Sequence, residues 1–491
     1  MSLARPARAG AMQPVELDET GEPVPAPAPP ARRRGAWRWV VGVAVGVVAA
    51  LAGTQVVLDA RERATGERLA ATPGVVRPVA ADVDVLWEPD ATRRAVIAQG
   101  IDVDGAVLGL AVATDGSQAF VALDQRTGRE RFRTVLLGPD ADRARSLDRT
   151  AAGTCVAVPV DEGAPDRAAC LVSDGFVQYG DEGVETRKPA TTTRVVVLDT
   201  RDGHVVADTS APGATSLAAV RGLAVVAVPA RDAQTEVTGR DLLTGEVRWR
   251  FSPPAPGADR RAFADEVRLV AVDGLVGVTV PGWTATVLSS SGEVLRSSRP
   301  GDADHVVDPV AGRLVLLSTT GSGTLLSTLV ERGRADVDVP GEVLPFTVDD
   351  GSVPELVLTS SGDVRGWDAA TGEQRWRSDV VASSNAALVL GGRVFVSTRA
   401  GVVALDGDTG DLLWRAATVA GTAPGFLVTD GRHVVTAEQP LTGGISELVA
   451  YGLDDGRTVW RVPFPDSLRF SLSVGHLLLG RGTDGRVVVL G

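Results

Sequence analysis

Residues Gly401–Ala416 read GVVALDGDTGDLLWRA. In the middle, Asp406, Asp408 and Asp411 alternate around Gly407 and Gly410, a spacing that mimics the start of a calcium loop. The flanks point elsewhere. An apolar run, Val402–Leu405, leads in, and a leucine pair with Trp414 leads out, so the stretch reads as strand, turn, strand.

Copies of the stretch decide between the two readings. Ala122–Phe132 is ALDQRTGRERF, Gly239–Trp249 is GRDLLTGEVRW, Gly366–Trp376 is GWDAATGEQRW and Ala404–Trp414 is ALDGDTGDLLW. Each has a small residue, then an aspartate, a Thr-Gly pair and an aromatic at fixed offsets. Where this copy has Gly407-Asp408, the others have Gln125-Arg126, Leu242-Leu243 and Ala369-Ala370. The extra acids are therefore local variation in a turn, not a ligand set. Weaker copies are Ala450–Trp460, Val197–Ala207 and Thr286–Arg296, and the faintest lies within Gly323–Val339. In each full unit the aspartate accepts backbone N–H bonds inside the turn, and the glycine supplies a positive φ. The tryptophan buries a large flat surface, which explains the small residue opposite it.

A period of about 40 residues built from four short strands matches a propeller blade. The stretch Phe470–Gly491 supplies three strands of a last blade, and Val83–Pro89 (VDVLWEP) reads as its fourth, with Trp87 in the tryptophan slot. Sharing one blade between distant parts of the chain closes the circle and removes free sheet edges. The expected fold is an all-β propeller of four-stranded blades over residues 81–491. A literal count gives eight units plus the shared one; the expectation is eight blades, within a range of seven to nine.

Ahead of the repeats, Trp39–Leu58 is a 20-residue uncharged stretch, long enough to span a bilayer as a helix. Residues 1–36 form a Pro/Arg-rich tail with too few large apolar side chains to build a core. Arg32, Arg33, Arg34 and Arg38 precede the apolar stretch, which places the tail inside and the repeats outside. The organisation expected is a cytoplasmic tail (1–36), a transmembrane signal anchor (37–58), a linker (59–80) and an extracytoplasmic propeller. Cleavage after Ala52, at the Ala50-Leu51-Ala52 site, is the alternative to a retained anchor.

The net charge of −13 argues against general nucleic-acid binding. Cys155 and Cys170, the two cysteines of the chain, flank a polar turn in an expected hairpin. They face each other there, as a disulfide in an oxidising compartment or as two buried thiols. The four histidines, His204, His305, His433 and His476, show no metal spacing, and there is neither a phosphate-binding glycine loop nor a G-x-S-x-G elbow. Asp102-Val103-Asp104-Gly105 reads as a hairpin turn. Trp283 and Trp367 fall outside the docking slot and read as packing residues, with ligand contact as the alternative.

The A-x-D-x-x-T-G-x-x-x-W pattern resembles the tryptophan-docking repeat of the quinoprotein-type (PQQ-like) propellers. That family includes PQQ-dependent alcohol and glucose dehydrogenases and the non-enzymatic scaffold BamB. The resemblance implies docking roles for Trp87, Trp249, Trp376, Trp414 and Trp460. It is structural and assigns no activity by itself. The dehydrogenases use a vicinal cysteine pair; here the two cysteines lie 15 positions apart. The expectation is therefore a non-catalytic, monomeric binding or scaffold module for a protein or cell-envelope ligand, with no cofactor, metal or catalytic residue assigned. A quinone-dependent oxidoreductase, or another cofactor-binding propeller enzyme, is the alternative.

Overall fold

The computed structural model describes residues 69, 72–145, 153–160, 163–179, 185–229, 235–254, 267–281, 283–298, 305–310, 312–319, 323–383, 386–441, 446–465 and 468–491. The tail (1–36) and the expected transmembrane helix (37–58) lie outside these residues, as does most of the linker. Among the described residues no helix is long and apolar enough to cross a membrane.

The described residues form nine four- or five-stranded sheets and one two-stranded hairpin. In eight of the nine sheets the strand order follows the chain, and neighbouring strands are antiparallel except at Phe346–Asp349; blade 3, for example, runs Ser216–Val220, Leu223–Val228, Glu236–Asp241 and Val247–Phe251. Blades 1 to 8 begin at Ile101, Gly153, Ser216, Arg268, His305, Glu342, Phe346 and Thr422. Blade 9 comprises Leu468–Val474, Leu477–Gly482, Val487–Leu490 and, from the other end of the fold, Val85–Trp87. Val85 pairs with Leu490 and Trp87 with Val489, the closure expected from VDVLWEP.

Nine blades replace the expected eight. The faintest repeat, within Gly323–Val339, is a true blade. Its strands Leu325–Val330 and Val337–Pro340 pair normally although its turn, Glu331-Arg332-Gly333, lacks both the aspartate and the following aromatic. Backbone pairing and burial of Leu329 and Val339 suffice to hold that blade.

Nine hydrophobic clusters follow, each straddling two neighbouring blades. Between blades 7 and 8, Phe395, Val402 and Trp414 meet Val434, Val449 and Tyr451. The cluster that completes the ring joins Leu477, Leu479 and Val489 of blade 9 to Val107, Ala119 and Val121 of blade 1. The helix Ala91–Gln99 adds Val96 and Ile97 there. Asp90 caps it, accepting from Arg93 N, and Gly100 ends it at φ 67°.

Two blades depart from regularity. In blade 2 the expected cysteine hairpin is part of the regular sheet. Gly153–Ala157 and Arg167–Ser173 are its regular first two strands, and the extra residues form the hairpin Phe176–Tyr179/Glu185–Lys188. At blade 6, Glu342–Leu344 pairs with Leu356–Ser360, and Pro345 then interrupts the ladder. The chain crosses to blade 7, where Phe346–Asp349 runs parallel to Ala387–Leu390, and then returns.

Candidate binding surface

Within each blade the first-to-second and third-to-fourth strand turns open on one face of the ring, called here the turn face. Second-to-third connections and blade crossings open on the opposite, loop face. The predicted docking residues all concern the turn face. Trp249 Nε1 donates to Ser290 O at 2.9 Å, Trp376 Nε1 to Gly407 O at 2.9 Å and Trp414 Nε1 to Leu453 O at 3.0 Å. Each acceptor belongs to the third-to-fourth turn of the following blade. The same rings cover the turn glycines: a Cβ at Gly292, Gly410 or Gly456 would fall within 2.6 Å of a ring atom. Opposite them in their own sheets stand Gly239 and Gly366, where a Cβ would come within 2.3 Å of Trp249 or Trp376. The small residue is thus a steric requirement of the packed indole.

Trp87 works the same way across the closure, donating to Gln125 O at 3.1 Å and covering Gly128. Trp460 differs. It packs at the blade 8–9 seam, but blade 9 has no third-to-fourth turn; Asp84 and Gly491 exchange backbone hydrogen bonds in its place. Trp367 is 7% exposed and donates to Thr359 Oγ1 inside blade 6, and Trp283 donates to Pro254 O. Cys155 and Cys170 are direct cross-strand partners, both buried and joined as a disulfide.

The Asp-x-x-Thr-Gly carboxylates are occupied. Asp124 Oδ1 accepts from Arg126 N, Thr127 N and Thr127 Oγ1, and its Oδ2 from Arg131 Nη2 at 2.8 Å. Asp241 and Asp368 repeat this with Arg248 and Arg375. The arginine recurs seven positions after the aspartate in three of the four full repeats, as Arg131, Arg248 and Arg375. Its guanidinium is the largest influence on Asp124, whose carboxyl is lowered to about 2; backbone N–H donors lead at Asp241, also lowered to about 2. At Asp406 the carboxylate takes Asp408 N and Thr409 N, and Thr409 Oγ1 turns to Asp411. Among the described residues no three His, Cys, Asp or Glu side chains converge as metal ligands.

A strap at the turn face had no sequence signal. Residues 72–79, inside the expected linker, are bonded to the ring. Val76 N donates to Thr429 O, Arg77 N to His476 O and Val79 N to Asp430 Oδ2, while Arg77 Nη2 reaches Gln125 Oε1 at 3.1 Å. His476 Nδ1 meets Val75 O at 2.6 Å. Apart from Gln125, 48 residues from Arg77, the partners lie hundreds of residues away, so no local pattern announces them.

The loop face carries the surface best suited to a partner. Among the described residues its connections expose three large aliphatic side chains, all in the sector of blades 6 to 8: Val381 at 57%, Val419 at 51% and Leu441 at 72%. Val419 and Leu441 sit on adjoining loops tied by Leu441 N to Gly421 O and Thr422 N to Val419 O. Beneath them, Glu438 is 1% exposed and accepts from Tyr451 Oη and from both terminal nitrogens of Arg461, at 2.9 and 3.1 Å. Arg461 also reaches Glu447 at 2.7 Å. Burial and then Glu438 push the Tyr451 phenol above its usual range, while Glu438 raises Arg461. Val419 N and Thr422 Oγ1 lean on the same carboxylate, so the exposed loop stands on a rigid charged base. Exposed aliphatic residues on a supported loop are a common feature of protein contact sites.

A family model described as outer membrane protein assembly factor BamB matches residues 312–489, most of blade 5 and the blades that follow. The chain is similar to BamB from Moraxella catarrhalis, with 16% identity, TM-score 0.38 and 79% of this chain and 94% of that one covered. It is also similar to quinohemoprotein alcohol dehydrogenase ADHIIG from Pseudomonas putida HK5, with 14% identity, TM-score 0.38 and coverage of 88% and 81%. A third is the C-terminal WD40 domain of Sif2, with 10% identity, TM-score 0.39 and coverage of 84% and 99%. No curated protein matches the sequence.

Proposed function

We propose that this chain is a membrane-anchored, extracytoplasmic scaffold whose propeller holds a protein partner on the loop face of blades 6 to 8. The observation that carries this reading is the exposure of Val381, Val419 and Leu441 on loops supported by the Glu438 cluster. The match of residues 312–489 to an assembly-factor family supports it, because that sector lies within the match. The anchor rests on Trp39–Leu58 and the arginines before it. The disulfide fits an oxidising compartment outside the membrane.

The test is crosslinking in intact membranes, comparing the native chain with Val419→Asp/Leu441→Asp. A discrete crosslinked species, lost in the variant at unchanged melting temperature, is expected. The same crosslink in both would overturn the reading, as would a bound-quinone spectrum with substrate-dependent dye reduction on adding PQQ and Ca²⁺. Protease accessibility of the propeller in spheroplasts checks the orientation; protection there would place the ring inside.

A further inference from the structure

We draw no further inference here: the strongest candidate, the outer edge strand Val294–Ser297 of blade 4, exposed along all four residues, is broken by a bulge and has Arg296 engaged with Asp336, and nothing in the structure shows what covers it.

Discussion

The Trp87 ring lies so close over Gly128 that a Cβ there would fall 2.6 Å from it, and with the Nε1 bond to Gln125 O this contact rivets the first strand of the fold to blade 1. The ring closes through side-chain docking as well as through the Val85–Trp87 ladder.

Gly128→Ala should destabilise strongly, because it adds a steric clash to the left-handed backbone at φ 64°. Gly485→Ala, at φ 81° with nothing within 4 Å, bears only the backbone penalty, ~1 kcal/mol. Denaturant melts of both variants isolate the docking contact, expected to add ~1–3 kcal/mol at Gly128. Equal losses would show that the Trp87 contact contributes nothing.

Trp414→Ala should cost ~3–5 kcal/mol, as for a large buried aromatic. Trp460→Ala should cost less, ~1–3 kcal/mol, since no turn of blade 9 receives its indole. Chemical denaturation followed by circular dichroism orders the two; the reverse order would contradict the docking geometry.

Acid should loosen the turn face. The Asp124, Asp199 and Asp241 carboxyls are lowered from 3.8 to about 2 in the folded ring. A depressed carboxyl stabilises fully above its unfolded value and loses that contribution as pH falls through the folded one. Stability should therefore fall between pH 3.8 and about 2. Arg131→Ala, which removes the largest influence on Asp124, should move the acid transition to higher pH, read by tryptophan fluorescence.

Unreduced mass spectrometry should find no free thiol, given the Cys155–Cys170 bond. The double variant Cys155→Ala/Cys170→Ala should lose about 3 kcal/mol, the chain-entropy value for a loop of this length.

Asp408→Ala should be nearly silent, with the same melting temperature in Ca²⁺ and in chelator. A calcium-dependent rise lost in the variant would restore the metal reading that the repeats removed.

Much of this fold was legible because a blade is a local object. Turn, docking aromatic and small partner recur within one unit, and even the closing strand at Trp87 carried its own signature. The expected eight fell one short of nine because the weak units carry few marks, as at Glu331-Arg332-Gly333, where neither aspartate nor aromatic flags the turn. The strap left no trace because its partners are brought beside it only when the ring closes; the excursion at Pro345 and the Glu438–Tyr451–Arg461 cluster, though local, fall outside the repeated turn motif. Gln125 was one variable turn residue among several until its amide was seen buried beside Arg77.

The nine seams are not equally strong. A Cβ at Gly333 would meet nothing within 4 Å, so no ring covers that glycine, and blade 4 reaches the turn through the ion pair of Arg296 with Asp336 at 3.6 Å. The splice where the circle is joined, by contrast, carries a rivet and a strap. Under mechanical load the ring is expected to fissure at an internal joint before it unzips at its splice, so a pull on the strap would be borne by the whole hoop.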